Sequence, residues 1–338
     1  MAEAAPLSEP LPPAPAALAG DAGAPRAGLY GGTVAEAGFA SLQGDYAATT
    51  LQRLLMEKKW HFVSLATPDF IFSIAIVDAG YLSSGFCAVF DRGARRLLID
   101  DNPVLPPLCA TVSEHPADGG SARLVGPGIT ARIERSGGRI LVSARWRQAA
   151  VDLSLDARRA PPPITAIAPV GDKGRFDLTQ KTVLIPAEGE VRAANVRFAV
   201  QSAFAGHDFT HGYLARETAW RWAFASGRAG SRLVAFNFSE GFLQGAGENA
   251  VWFEGEPRPA GKVSFTFDGD APLSPWHIRS ADGAVDLVFQ PEGYRAQSID
   301  LKLISSKYLQ PFGVFSGKVN GVEIDRLAGI CEDHAARW

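Results

Sequence analysis

The densest group of side chains able to do acid–base or binding chemistry lies at residues 207–222, which read HDFTHGYLARETAWRW. This stretch holds two of the six histidines and two of the seven tryptophans of the 338-residue chain, with one Asp, one Glu and two Arg. No complete P-loop, dinucleotide fingerprint, nucleophile elbow or paired-Cys zinc motif occurs in the sequence. A candidate site is therefore expected here, although these residues alone do not fix a reaction.

Asp208 and His211 are the first candidate pair, because a carboxylate beside an imidazole can orient it and shift its pKa for proton transfer. Gly206 and Gly212 flank the pair, which favours a turn at the mouth of a barrel. An Asp that caps this turn beside a solvated His explains the spacing equally well. The set His207, Asp208 and His211 is a weak metal site, because histidines at i and i+4 converge only on a helix. We expect no metal and no cofactor.

Aromatic side chains follow in a predicted strand that contains Trp220, Trp222 and Phe224. Alternation places these three rings on one face and Arg221 on the other. The rings either fill a barrel core or line a cavity that holds one small ligand. Trp276 is a further candidate for the lining of such a cavity.

Polar candidates outside this stretch are Glu240, Glu248, Asn249 and Lys181. Two carboxylates in different environments can divide acid and base roles, but both can equally be surface residues of turns. Lys181 and Arg221 are candidate partners for an anion or a carbonyl group. The predicted catalytic residues are Asp208, His211 and Glu240, and the predicted ligand-binding residues are Trp220, Trp222, Arg221, Trp276, Glu248, Asn249 and Lys181.

The elements that must position these residues are short β-branched and aromatic runs separated by turn residues. About twenty such runs recur at the spacing typical of antiparallel β proteins, and no crossover helix lies between them. Gly137-Gly138, Asp282-Gly283 and Asn320-Gly321 are predicted hairpin turns. The one predicted helix is a short surface helix within residues 45–58. The pattern predicts an all-β fold of two antiparallel, barrel-like halves with little helix.

Domain boundaries follow from composition. Residues 1–27 are rich in Ala and Pro and lack aromatic residues, so we expect a disordered tail. The triple proline at residues 161–163 and a change of pattern near Asp177 predict a join between two halves. The predicted domains are residues 28–177 and 178–338.

The charge balance limits the classes of partner. With 33 basic and 36 acidic residues the net charge is -3, which does not favour a nucleic-acid partner. No window of eighteen apolar residues is available to span a bilayer, and we expect a cytoplasmic protein. The oligomeric state does not follow from the sequence.

Several motifs in chain order carry a resemblance to a known family. They are Trp60-His61, Asp78-Ala79-Gly80-Tyr81, Gln180-Lys181, Pro186-Ala187-Glu188-Gly189, Asp208-Phe209-Thr210-His211-Gly212, Trp220-Arg221-Trp222, residues 237–242, Glu248-Asn249, Pro275-Trp276, Gln310-Pro311-Phe312-Gly313, Glu332-Asp333 and Arg337-Trp338. As a set, they resemble the bacterial family named domain of unknown function 2804. That family has no assigned reaction.

A more distant resemblance links the chain to tandem lipocalin-like proteins: carotenoid hydratases, kievitone hydratase, AttH-type proteins, tocopherol cyclase and lipocalin-like Diels–Alder cyclases. It implies a hydrophobic small-molecule ligand and, for an enzyme, cofactor-independent hydration, isomerisation or cyclisation of an unsaturated terpenoid- or polyketide-like substrate. Asp208 or Glu240 would then be the general acid with His211 as its partner. The alternative is a non-catalytic protein that binds a lipid or has a structural role.

Overall fold

The computed structural model describes residues 10–245, 247–253 and 255–338. Over this described part, 63% of the chain lies in strands and 4% in helices. The strands form two curled antiparallel sheets of 14 and 9 strands. The predicted all-β fold of two antiparallel halves is confirmed.

The first sheet contains β1 (Gly28–Gly31), β2 (Glu57–Ala66), β3 (Phe70–Asp78), β4 (Ser83–Asp91), β5 (Arg96–Asp101), β6 (Val104–Leu105), β7 (Ala110–Val112), β8 (Ser121–Gly126), β9 (Ile129–Ser136), β10 (Arg139–Trp146), β11 (Ala149–Asp156), β12 (Ile164–Pro169), β13 (Phe176–Ala193) and β14 (Val196–Tyr213). Its main strand order is β5-β4-β3-β2-β14-β13-β11-β10-β9-β8-β7, with β6 paired to β4 and with β12 between β13 and β1.

The second sheet contains β15 (Glu217–Ala229), β16 (Arg232–Glu240), β17 (Ala250–Phe253), β18 (Glu256–Pro259), β19 (Val263–Thr266), β20 (Trp276–Ser280), β21 (Val285–Asp300), β22 (Ser305–Val319) and β23 (Val322–Arg337). Its strand order is β18-β17-β16-β15-β23-β22-β21-β20-β19.

The helix α1 (Thr50–Met56) confirms the predicted short helix, and two 3-10 turns lie at Gly44–Tyr46 and Ala157–Arg159. Thr49 and Gln52 form a capping box, in which each side chain accepts a hydrogen bond from the other residue's backbone N–H. The helix ends where Glu57 begins β2. Among the residues described, no helix has the length and apolar character needed to cross a membrane.

Two burial patterns distinguish the strands. In β10 buried and exposed residues alternate, as expected for a strand with one face in water. In β3 both faces are buried over most of its length, because one face packs on the core of the first sheet and the other meets the second sheet. Strands buried on both faces therefore mark where the two sheets meet.

A cluster of apolar side chains joins the sheets. Phe62 of β2 packs edge-on against Trp222 of β15, with ring centroids 5.5 Å apart. Phe90 of β4 stacks on Phe312 of β22 at 5.3 Å. Each sheet also curls around a core of its own. The contact between the sheets thus contains a third apolar core.

The turn predictions hold, but the predicted join does not. Gly137-Gly138, Asp282-Gly283 and Asn320-Gly321 connect the antiparallel pairs β9–β10, β20–β21 and β22–β23, as predicted. Asp177, however, lies inside β13, which pairs with β14 along nearly its whole length within the first sheet. The chain passes to the second sheet at residues 214–216. The triple proline connects β11 to β12 within one sheet, so it was the wrong marker for the join.

The predicted disorder up to residue 27 is wrong for residues 10–27, and residues 1–9 lie outside the described residues. The backbone N–H of Ala14 donates to the Gly31 carbonyl, and that of Leu18 donates to the Glu36 carbonyl, both at 2.9 Å. The Leu18 side chain is fully buried in the core of the first sheet. The segment is held by main-chain hydrogen bonds to residues 28–36 and by one buried leucine. Its composition alone had predicted disorder.

Gly206 of β14 marks a close approach between the sheets, and its replacement tests this approach. A Cβ at Gly206 would overlap the ring of Phe224 in β15. We expect Gly206→Ala to lower the free energy of unfolding by about 1–3 kcal/mol, as overpacking of a core does. Gly227→Ala is the matched control, because its Cβ would meet Leu327 at an ordinary 3.4 Å. Urea titration of both variants measures the difference, and equal stabilities would contradict this packing.

Candidate functional site

A cavity of about 210 Å³ lies between the two sheets. Its wall combines strands β2, β3, β4, β6, β13 and β14 of the first sheet with β15, β21, β22 and β23 of the second. Neither sheet alone encloses it. The site is therefore a product of the contact between the halves.

Aromatic rings form much of the wall. Trp60 of β2 and Trp220 of β15 face each other with ring centroids 6.4 Å apart and planes 19° from parallel. Phe242 packs against Trp220 at 5.2 Å, and Trp222 extends the same face of β15. The prediction that Trp220 and Trp222 share a face agrees with this position at the cavity. An apolar wall of this kind favours a hydrophobic ligand.

One group of charges lies at the wall of the cavity. The Lys181 ammonium of β13 is 2.7 Å from Asp208 Oδ2 and 3.1 Å from Glu248 Oε2. The Lys181 and Glu248 side chains are 6% and 4% exposed. Burial alone would lower the pKa of Lys181, but the two carboxylates raise it above its ordinary value. Lys181 is therefore a permanent cation at this wall.

Neighbouring hydroxyl groups fix Asp208 in this ion pair. The Thr210 hydroxyl donates to Thr179 Oγ1, and the Thr179 hydroxyl donates to Asp208 Oδ1, both at 3.1 Å. Asp177, on the same face of β13 as Thr179 and Lys181, is fully buried, and neither of its oxygens has a hydrogen-bond partner among the described residues. Burial, and then the charge of Glu248, raise the pKa of Asp177 well above its ordinary value.

A second polar group surrounds Glu332 of β23, whose carboxyl group also lines the cavity. Glu332 Oε1 accepts hydrogen bonds from the Tyr308 hydroxyl at 2.5 Å and from Gln310 Nε2 at 2.7 Å. Glu332 Oε2 accepts a longer bond, 3.3 Å, from Trp220 Nε1. Burial raises the pKa of Glu332, and the bonds from Tyr308 and Trp220 offset only part of that shift. Burial thus shifts the Glu332 carboxyl group toward its protonated form, against the effect of the donors that contact it.

Arg295 of β21 holds this end of the cavity to the first sheet. Its guanidinium donates through Nε to Asp100 at 2.8 Å, through Nη2 to Asn102 and through Nη1 to Gln310 at 3.3 Å. The guanidinium carbon lies 4.0 Å from the centroid of the Phe86 ring. All three of its nitrogens are thus engaged, and Arg295 connects both sheets beside the site.

Asp208 and His211 do not form the predicted pair. Residues 206–212 are not a turn but part of β14, and side chains in a strand alternate between its faces. Asp208 and Thr210 face the cavity, whereas Phe209 and Tyr213 face the core of the first sheet. His211 is an odd position like Phe209, so it points away from Asp208.

His211 has a structural partner inside the first sheet. Its Nε2 lies 2.9 Å from Glu57 Oε1, and its ring stacks on Phe39 at 3.6 Å. Burial lowers the pKa of His211, so a neutral imidazole donates to the Glu57 carboxylate. Glu57, Glu114 and His211 are close enough to hold a metal ion, but Arg53 already pairs with both carboxylates. The Arg53 guanidinium thus supplies the positive charge that balances the carboxylates of Glu57 and Glu114.

His207 also faces the core of the first sheet. Its Nε2 lies 2.8 Å from His61 Nδ1, and both rings are buried. Burial lowers the pKa of His61 to about 3, so both imidazoles are neutral in this environment. His207, Asp208 and His211 therefore do not converge on one point.

Four other predicted site residues lie away from the cavity. Glu240 accepts hydrogen bonds from Arg221 at 3.1 Å and from the Phe265 backbone at 3.3 Å, on the opposite face of the second sheet. Trp276 stacks on Phe267 at 3.6 Å in the core of that sheet. Asn249 bonds the backbones of residues 239 and 261. Side-chain alternation in β15 and β16 directs Arg221 and Glu240 away from the cavity wall, and none of these four side chains lines the cavity.

Sequence reasoning missed the polar group around Glu332. Glu332, Tyr308 and Gln310 lie on β22 and β23, about a hundred residues after the aromatic stretch that they meet. Glu332 and Gln310 do belong to recognised motifs, but no local pattern assigns them to one site with Trp220. Strand pairing of β15 with β23, which opposes Trp222 to Glu332, brings them together.

A sequence profile described as domain of unknown function (DUF2804) matches residues 14–338, which confirms the family resemblance. A comparison with curated proteins gives no significant match.

Solved structures similar to this chain include kievitone hydratase from Nectria haematococca, with 11% identity, coverage of 85% of this chain and 92% of that chain, and a TM-score of 0.49. A protein assigned as AttH from Nitrosomonas europaea has 12% identity, coverage of 86% and 96%, and a TM-score of 0.46. CghA with Sch210972 has 10% identity, coverage of 96% and 97%, and a TM-score of 0.48. Similarities at this level support no transfer of activity.

Proposed function

We propose that this chain, which belongs to the DUF2804 family, binds a small unsaturated hydrophobic molecule between its sheets and protonates it through Glu332. The observation that carries the proposal is a buried carboxyl group with a raised pKa in an aromatic-walled cavity. A carboxyl group whose pKa is raised keeps its proton to higher pH than an ordinary one, which suits a general acid. Asp208, the acid predicted from the sequence, is instead held by an ammonium group at 2.7 Å and serves better as an acceptor.

The two oxygens of Glu332 differ in a way that supports this role. Oε1 already accepts two short hydrogen bonds, from Tyr308 and Gln310. Oε2 has one long contact, from Trp220. We therefore place the acidic proton on Oε2, the oxygen beside Trp220 of the cavity wall. The two donors on Oε1 stabilise the carboxylate that remains after the proton leaves.

Protonation of an alkene moves the Glu332 proton to one carbon and leaves a cation on the other. The π faces of Trp60, Trp220 and Trp222 can stabilise that cation. Addition of water then gives an alcohol, with the released proton passing to a carboxylate such as Asp208. Loss of a different proton to such a carboxylate gives an isomer. Attack by a second alkene closes a ring and moves the cation to a new carbon, which then loses a proton to the carboxylate or takes up water. Solvent restores the proton of Glu332 in each case.

Binding without turnover is the second candidate function. The three hydrogen bonds that hold Glu332 also explain this residue as a structural acceptor that orients Tyr308, Gln310 and Trp220. A carrier of a hydrophobic molecule needs the same aromatic wall but no proton donor.

Titration with geraniol and retinol in D₂O tests both candidates. We expect at least one probe to quench tryptophan fluorescence, because Trp60, Trp220 and Trp222 line the cavity. If Glu332 donates a proton, the bound alkene gains deuterium on carbon, which mass spectrometry detects. Quenching without deuterium incorporation would indicate a carrier.

Two tryptophan variants locate the bound probe. Trp220→Phe should reduce the quenching, because this ring lies at the cavity. Trp276→Phe is the control and should leave the quenching unchanged, because this ring is buried against Phe267 on the other side of the sheet. Failure of every probe to quench the unmodified protein would contradict binding in this cavity.

A further inference from the structure

The charged group formed by Lys181, Asp208 and Glu248 lines the same cavity as Glu332 but belongs to a different part of its wall. Lys181 and Asp208 are cross-strand neighbours on β13 and β14. Glu248 comes from the segment between β16 and β17 of the second sheet. The proton transfer assigned to Glu332 uses this group only as a proton acceptor. The charges and hydrogen-bonding atoms of the group indicate what it binds.

The contacts within the Lys181–Asp208–Glu248 group leave one acceptor and one donor for a ligand. A carboxylate accepts and cannot donate, and an ammonium group has three N–H donors. The Lys181 ammonium forms ion pairs with Asp208 Oδ2 at 2.7 Å and with Glu248 Oε2 at 3.1 Å, and it lies 5.3 Å from the centroid of the Trp222 ring. Glu248 Oε2 is buried within 3.1 Å of the ammonium but lacks a hydrogen bond of good geometry among the described residues. Glu248 Oε2 therefore lacks a hydrogen-bond donor, and the ammonium group, with three N–H groups and two ion-pair partners, retains at least one N–H.

The net charge of the group also restricts the charge of its ligand. Lys181 contributes one positive charge, and Asp208 and Glu248 contribute two negative charges, so the group carries one excess negative charge. Arg295, the other buried cation at the cavity, is already engaged with Asp100, Gln310 and Asn102. Arg337 also lines the cavity and pairs with Glu217 at 3.1 Å. Among the described lining residues, an anionic ligand thus meets an excess negative charge and only guanidinium groups that are already paired.

Resting on the proposed binding function, we infer that the Lys181–Asp208–Glu248 group binds the hydroxyl of an apolar alcohol and rejects the corresponding carboxylate. A hydroxyl donates to Glu248 and accepts from Lys181, which satisfies both remaining groups. A hydrocarbon or an ether leaves the Glu248 acceptor without a donor in a buried environment, which is unfavourable. A carboxylate brings a like charge against two carboxylates.

Three probes with one carbon skeleton test this specificity: geraniol, its methyl ether and geranate. Fluorescence titration at pH 7.5 gives a dissociation constant for each. We expect the methyl ether and geranate each to bind about tenfold or more weakly than geraniol, because one lacks the donor and the other carries the charge. Equal affinity of geraniol and its ether, or tighter binding of geranate, would overturn the inference while leaving the proposed binding function intact. Binding of none of the three would overturn both.

Glu248→Gln tests the effect of the charge, because glutamine keeps the shape of the side chain and removes its negative charge. The glutamine removes the excess negative charge and adds a donor, so the discrimination against geranate and against the ether should each fall at least about threefold. Asp208→Asn removes the same charge and should also improve geranate binding, which keeps the test available if Glu248→Gln does not fold. Glu240→Gln, on the other face of the second sheet, should leave all three affinities unchanged. Unchanged ratios in both Glu248→Gln and Asp208→Asn would contradict the assignment.

Discussion

Glu332→Gln is expected to lower turnover by about two to four orders of magnitude, the usual effect of losing a general acid. The amide keeps the shape of the side chain and can still accept hydrogen bonds from Tyr308 and Gln310. It cannot donate an acidic proton to an alkene. Probe affinity and stability should therefore stay near those of the unmodified protein, while deuterium incorporation into a bound alkene disappears.

The pH dependence of turnover gives an independent readout of the same residue. The protonated form of Glu332 is the active form, so turnover should be highest at low pH and fall as pH rises through its pKa. Because burial raises that pKa, the fall should lie above the ordinary carboxyl range. Glu332→Gln should lack this transition.

Glu240→Gln is the control for the loss of a carboxylate, because Glu240 pairs with Arg221 on the opposite face of the sheet. It should retain both turnover and its pH profile. Full turnover in Glu332→Gln would instead remove Glu332 as the proton donor and favour the carrier function.

Lys181→Met is expected to lower the free energy of unfolding by about 3–5 kcal/mol, the range for removing one partner of a buried ion pair. Methionine fills similar space but leaves Asp208 and Glu248 close together without a counter-charge. The penalty comes from these two buried carboxylates more than from the lost lysine. Urea denaturation at pH 7.5 measures it.

Lys318→Met is the matched control, because the Lys318–Glu323 pair has a similar distance of 3.0 Å but side chains that are 61% and 69% exposed. Its stability should change by no more than about 1 kcal/mol, as for other surface ion pairs. The triple variant Lys181→Met, Asp208→Asn, Glu248→Gln should recover much of the lost stability, since it removes the buried charges together. A small effect of Lys181→Met alone, equal to the control, would show that the pair is not buried as described.

The sequence determined the features that depend on neighbours along the chain. Alternation within a strand predicted the shared face of Trp220 and Trp222, and Gly-Gly, Asp-Gly and Asn-Gly dipeptides predicted hairpin turns that the structure contains. It also predicted the short helix and the absence of crossover helices, hence two antiparallel halves. These predictions succeed because side-chain period and turn conformation are local properties.

One local reading failed for a physical reason that the tertiary structure supplies. Gly206 and Gly212 suggested a turn, but both lie within β14. A Cβ at Gly206 would overlap Phe224, and one at Gly212 would meet the backbone of Phe176. Glycine in a strand can mark a close approach of two segments as well as a turn, and the sequence does not distinguish the two. The predicted turn also led to the wrong expectation that the side chains of Asp208 and His211 point to the same side of the chain.

Only the tertiary structure decided which polar residues share the cavity. Glu332 meets Trp220 because β15 and β23 pair, and Lys181 meets Glu248 because the second sheet packs on the first. Burial then decides their chemistry: it favours the neutral form of Glu332, whereas close carboxylates keep Lys181 charged. Desolvation and charge separation depend on what packs over a side chain, and that is set by contacts between residues far apart in the chain.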